Sequence, residues 1–147
     1  TQASFWTDPQ VGFFSIHRFP FYPGTGDASE TGSGDGLGST LNLPVEFGTP
    51  VGDYLARFET ELTQFVDKFK PQLILLSAGF DAHRADPVGS LGLESEHFGD
   101  LTRIVLAAAQ SHCSGRLVSV LEGGYNPAML AESVEIHLEG LLSASER

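Results

Sequence analysis

Apolar residues recur at spacings of three and four through Leu55, Phe58, Leu62, Phe65, Val66 and Phe69. This periodicity predicts an amphipathic helix with one apolar face. Thr49 reads as its N-cap, Pro50 as its first helical residue, and Pro71 closes the connection that follows. The pattern then changes. Leu73-Ile74-Leu75-Leu76 is continuously aliphatic and predicts a strand buried on both faces. It runs into a turn of small residues, Ser77-Ala78-Gly79, followed by Phe80-Asp81-Ala82-His83. Ser95 is positioned to cap a second helix to about His112, with Phe98, Leu101, Val105 and Ala108 on one face. Leu117-Val118-Ser119-Val120-Leu121 reads as a further strand, broken by Glu122-Gly123-Gly124-Tyr125. Asn126-Pro127 starts a last helix, lined by Leu130, Val134, Leu138 and Leu141.

Earlier in the chain, residues 11–17 are rich in β-formers and predict a first strand, which delivers Ser15 and His17 near its end. Residues 19–40 are dense in Gly, Pro, Ser and acidic residues and predict a long irregular loop. Leu41-Asn42-Leu43 reads as a short strand stopped by Pro44. Apolar strands alternating with amphipathic helices imply an α/β fold, a parallel sheet with helices on its faces. With 147 residues and no linker, the chain reads as a single unit, 1–147. Three strand ends, at residues 15–17, 77–83 and 122–125, are expected along one edge of the sheet, where α/β proteins place their ligands.

Charge narrows the partners. The formal net charge of −11 argues against direct nucleic-acid binding, which needs clustered Lys and Arg, and suits a cationic substrate. Cys113 is the only cysteine, so an intrachain disulfide and a thiolate metal cluster are both excluded. No apolar run approaches the ~20 residues that a membrane-spanning helix needs. A cytoplasmic location is expected, with the reservation that a chain opening at Thr1-Gln2-Ala3 says nothing of a targeting signal upstream.

Asp81 is open to several roles on its residues alone: a turn cap, a partner for Arg84, a metal ligand, a nucleophile or a general base. Asp81-x-His83 resembles a two-ligand hook, but a catalytic zinc takes three protein ligands and the others would come from elsewhere. Tyr125 after two glycines is placed either to donate its phenol to a developing oxyanion or to pack on the sheet end. The glycines at 32, 34, 36 and 38 are not followed by Gly-Lys-Ser/Thr, which argues against a phosphate loop. Phe19, Phe21 and Tyr22 would wall an apolar substrate stem or anchor their loop.

Taken together, several segments resemble the histone deacetylase family. They are Ser15-Ile16-His17-Arg18, Phe21-Tyr22-Pro23-Gly24-Thr25-Gly26, Asn42-Leu43-Pro44, Ser77-Ala78-Gly79-Phe80-Asp81-Ala82-His83-Arg84-Ala85-Asp86-Pro87 and Leu121-Glu122-Gly123-Gly124-Tyr125-Asn126. The likeness is to class II-like and bacterial members, which include acetylpolyamine amidohydrolases and acetoin-utilisation proteins. It implies the C-terminal half of an arginase/deacetylase-like fold and a zinc-dependent amide hydrolase that acts on acetyl-lysine or acetylpolyamine-type substrates. By resemblance Asp81 is a zinc ligand and Tyr125 polarises the scissile carbonyl. Tyr22, with Phe21, walls the acyl-lysine tunnel; Val88 lies at its rim and Gly124 in the substrate-facing turn. Ser15 and Ile16 match part of an inner potassium site, and Phe5, Asp8, Val11 and Ser39 an outer one. His83 becomes a loop residue without a catalytic role.

Thr1-Gln2 resemble the last residues of the family's His-Gly-Asn-Gly-Thr-Gln run. The remaining zinc ligands and the His-His acid/base pair lie upstream of that run. The resemblance therefore implies a partner, the N-terminal half of the same domain, and an isolated chain with little activity. Two rivals stand beside this reading. One is a catalytically inactive, deacetylase-like scaffold; the other is a phosphoryl-transfer domain with Asp81 as nucleophile, for which the expected second Asp two residues on is absent.

Overall fold

The computed structural model describes residues 1–145. Its strands are β1 (Phe13–Arg18), β2 (Thr40–Val45), β3 (Ile74–Ala78) and β4 (Leu117–Leu121), and its helices α1 (Val51–Phe69), α2 (Ser95–Cys113) and α3 (Pro127–Ser145). The α/β class and parallel pairing follow the sequence pattern, but the strands form two separate pairs. β1 pairs with β2 and β3 with β4, and no ladder joins β1 to β3 among the described residues.

Helix boundaries follow from local chemistry. α1 starts at Val51 with Pro50 in the N-cap position, one residue later than expected, and Thr49 turns its hydroxyl back to the Glu46 carbonyl at 2.9 Å instead of capping. It ends where Lys70 adopts a left-handed conformation and returns its N–H to the Val66 carbonyl. Ser95 is not a cap either. Glu94 holds that place, and its N–H donates to His97 Nδ1 at 2.9 Å. The expected start of α3 is present: Pro127 is its first residue and Asn126 Oδ1 accepts the Met129 N–H at 3.4 Å.

Pro44 does not stop β2. It sits inside the strand opposite His17, and its carbonyl points away from β1 to accept Arg57 Nη1 at 2.8 Å. Since N and C=O of one strand residue point to the same side, the N–H that proline lacks belongs to the outer edge, where no ladder bond is lost.

All three helices cover one face of the β3–β4 pair. Phe58, Leu62, Val66, Ile104, Val105 and Ala108 of α1 and α2 pack against Ile74, Leu76 and Leu117, while Phe14 and Ile16 bring β1 onto the same cluster. A second cluster joins Val45, Tyr54, Phe80, Leu91, Leu93 and Phe98, with Leu130 and Val134 of α3 against it. Burying each such large side chain contributes roughly 1.5–3 kcal/mol. The opposite face is bare. Leu75 is 71% exposed, and Val118 and Val120 are also open, so the expected burial of β3 on both faces does not hold in this chain. α3 is also turned from the expected setting: Ser133 and His137 point inward and Leu138 is exposed.

Candidate active site

The β3–β4 register carries on past the strands. Ala78 lies opposite Leu121, and Phe80 N–H donates to the Gly123 carbonyl at 2.7 Å, which sets the turn bearing Asp81 beside the turn bearing Tyr125. Two glycines make room for the Asp81 carboxylate. A Cβ on Gly123 would stand 3.0 Å from Asp81 Oδ2, and one on Gly79 3.4 Å from Oδ1. Asp81 is half buried, and among the described residues no basic side chain pairs with it. Arg84, the alternative partner, is engaged by Glu94 at 2.7 Å. Burial, and then the charge of Asp86, push the Asp81 carboxyl above its ordinary range.

Asp86 is solvated differently. It is 5% exposed, and its Oδ1 accepts the N–H groups of Val88 at 2.8 Å and Gly89 at 3.0 Å, while Oδ2 accepts that of Tyr125 at 2.7 Å. Burial pushes its carboxyl up, but the backbone donors of Tyr125, Val88, Gly89 and Asn126 outweigh this and hold it below the usual carboxylate range.

These turns open onto a groove of about 390 Å³ between the two strand pairs. Ile16, His17, Arg18, Phe21 and Tyr22 line it from the β1 side, and residues 76–82, Glu122 and Gly123 from the β3–β4 side. Of the residues singled out from sequence, Ile16, Phe21, Tyr22 and Asp81 meet at this groove. Tyr22 stands 89% exposed and Phe21 lies over the Arg18 guanidinium at 4.4 Å, so their loop presents aromatic surface outward. Val88, Gly124 and Tyr125 flank the groove without lining it. Tyr125 is 56% exposed, with its backbone N–H held by Asp86. Gly124 has φ +151, a conformation that favours glycine, and a Cβ there would also meet Leu130 Cδ1 of α3 at 2.6 Å.

The cation candidates divide. Asp81 suits a metal ligand: it is a carboxylate in a small cradle, beside a second carboxylate and with no basic partner. It is also single, since no group of three His, Cys, Asp or Glu among the described residues would hold a metal ion. Ser15 Oγ shares a hydrogen bond with His17 Nδ1 at 3.0 Å. Asp8 N–H donates to the Phe5 carbonyl at 3.1 Å, Ser39 Oγ donates to the Gly36 carbonyl at 2.6 Å and lies 3.4 Å from that of Asp8, and Val11 is partly buried just ahead of β1. His83 is a core residue, 3% exposed, with Nδ1 accepting the Ala85 N–H and its ring stacked on Phe98.

Three groups escaped the reading from sequence. Asp86 carried a legible signal, since an Asp two residues before an N–H it accepts is an Asx-turn and Pro87 fixes the intervening residue. Arg18 donates to the Gly89 carbonyl at 2.9 Å and stacks on both Phe21 and Phe47, a convergence of three loops with no sequence signature. His137 bridges Thr102 Oγ1 at 2.6 Å and Ser119 Oγ at 2.9 Å, and burial lowers its pKa.

Comparison with known proteins decides the family. Residues 1–141 match the model of the histone deacetylase domain. The chain belongs to the histone deacetylase family. A probable deacetylase of Archaeoglobus fulgidus is 44% identical over 126 residues, covering 86% of this chain and 35% of that protein. Among solved structures, the HD domain of HDA15 superposes with a TM-score of 0.88 at 33% identity, covering 97% of this chain and 40% of that one. An acetylpolyamine aminohydrolase from Burkholderia pseudomallei gives 0.86 at 31% identity, covering 95% and 40%. The chain spans about a third of the length of three of the curated family members it matches, with covered shares of 35%, 30% and 34%, and less of two others, at 16% and 17%.

Proposed function

We propose that this chain supplies one side of the active site of a zinc-dependent amide hydrolase that removes acyl groups from cationic amines, of the acetyl-lysine or acetylpolyamine type. The observation that carries the reading is Asp81: a half-buried carboxylate without a basic partner among the described residues, cradled by Gly79 and Gly123 at the carboxyl end of β3. Its ionised form is costly where it stands, and a bound cation offsets that cost. Zinc, when bound, supplies Lewis-acid polarisation of the acyl carbonyl. Tyr125, on the adjoining turn, donates its phenol to the same carbonyl oxygen as charge develops there. Tyr22 and Phe21 flank the acyl-amine stem, with Val88 and Gly124 at the rim. The net charge of −11 favours approach of a cationic carrier. Ser15, by its hydroxyl, and Ile16, by its carbonyl, are the proposed potassium ligands.

The remaining zinc ligands and the general base come from the partner, the N-terminal half of a deacetylase domain. This assignment is supported by the unpaired edges of β1 and β3, by the groove between them, and by the bare apolar face of β3–β4. The isolated chain is accordingly expected to bind zinc weakly and to hydrolyse little, because catalytic zinc takes three protein ligands. The test is metal content and turnover of the complete domain. Asp81→Ala should abolish stoichiometric zinc; Tyr125→Phe should keep the zinc and lower turnover on the order of 10²–10³-fold. Zinc retained at full stoichiometry in Asp81→Ala overturns the ligand assignment.

A further inference from the structure

We propose that Asp86 is the positioning residue for Tyr125, and that it couples the tyrosine turn to the rim loop bearing Val88. The proposal rests on the role given to Tyr125 above. The two oxygens of Asp86 face different loops: Oδ1 holds Val88 and Gly89, and Oδ2 holds Tyr125, 39 residues further along the chain. A second tie joins the same loops, since Asn126 Nδ2 donates to the Ala85 carbonyl at 3.0 Å.

The rim loop in turn wraps the metal-ligand candidate. Ser90 N–H donates to the Asp81 carbonyl at 2.8 Å, and a Cβ on Gly89 would stand 2.3 Å from that same oxygen. Only a residue without a side chain allows this approach. One buried carboxylate therefore fixes the relative placement of the Tyr125 backbone, the rim and the Asp81 turn. It matters for Tyr125 in particular because the residue is 56% exposed. Charge-assisted hydrogen bonds to backbone N–H are among the stronger ones, and misplacement of a catalytic group by about 1 Å costs on the order of 10²-fold in rate.

Hydrogen exchange on this chain tests the anchoring. The Tyr125 amide should exchange slowly although the residue is exposed, and in Asp86→Asn it should speed up at least tenfold together with Val88 or Gly89, because the new amide nitrogen must face one set of N–H donors. Amides of β3 and α2 should be unchanged. An unprotected Tyr125 amide in the unsubstituted chain overturns the proposal, even if Asp86→Asn does not fold. In the complete domain, Asp86→Asn should lower kcat roughly 10- to 100-fold with KM and zinc content unchanged. That loss should vanish in a Tyr125→Phe background; an equal loss in both backgrounds means Asp86 acts through general stability and overturns the positioning role. If Tyr125→Phe itself leaves turnover intact, it is the proposed function that fails, and the exchange measurement still decides whether Asp86 anchors the turn.

Discussion

Leu75 and Leu76 are chemically identical neighbours with opposite fates. Leu76 packs against the α1–α2 cluster, whereas Leu75 projects from the other face of β3 and is 71% exposed. The same contrast recurs at the strand ends. Asp86 is surrounded by backbone donors, while Asp81 has no basic partner among the described residues and sits in a cradle beside a like charge. On the helical side the apolar side chains are packed into two clusters. On the other side an apolar surface stands open, and at the strand end a carboxylate has no basic partner among the described residues. A fold can therefore be closely packed on one face and open on the other.

The contrast predicts effects of very different size. Phe98 is 4% exposed, and its ring centroid lies 5.1 Å from that of Phe80. Phe98→Ala should cost about 3–5 kcal/mol in urea unfolding, and a loss below 1 kcal/mol would mean that the helical face is not the core. Acid should act next, through Asp86. Its folded pKa is depressed, so its stabilisation is present above the unfolded value of 3.8 and is lost as pH falls through the folded one. The urea midpoint of the chain should fall in that window, and Asp86→Asn should show less of this loss.

Asp81 has the opposite sign. Its folded pKa is raised, so its contribution is favourable below 3.8 and lost as pH rises through the folded value. At neutral pH without metal, Asp81→Asn should therefore raise the midpoint, and a clear fall would contradict the unpartnered carboxylate. The smallest effect belongs to the bare face: Leu75→Ala should change stability of this chain by no more than about 0.5 kcal/mol. In the complete domain the same substitution should cost about 2–5 kcal/mol if that face becomes buried.

Much of this was legible from residue spacing. The three helices, the parallel α/β pattern and the convergence of the turns at Asp81 and Tyr125 follow from periodicities of 3.6 and 2 and from glycine punctuation. Errors fell where local rules met tertiary context. Pro44 was tolerated within β2 because its missing donor faces outward, and Thr49 gave up its cap for a turn bond to Glu46. His137 replaced Leu138 on the inner side of α3, where Thr102 and Ser119 satisfy both of its nitrogens. Burial of a polar group depends on partners 18 and 35 residues away, which no local window contains.

By itself the sequence determined the class, the order of elements and the family, because hydrophobic period and motif chemistry are local properties of the chain. Tertiary structure alone decided that the strands part into two pairs, that only one face of β3 is covered, and that Asp86 rather than Arg84 stands beside Asp81. Those outcomes depend on which surfaces meet in space, and a continuous aliphatic run carries no mark of which face will find a partner.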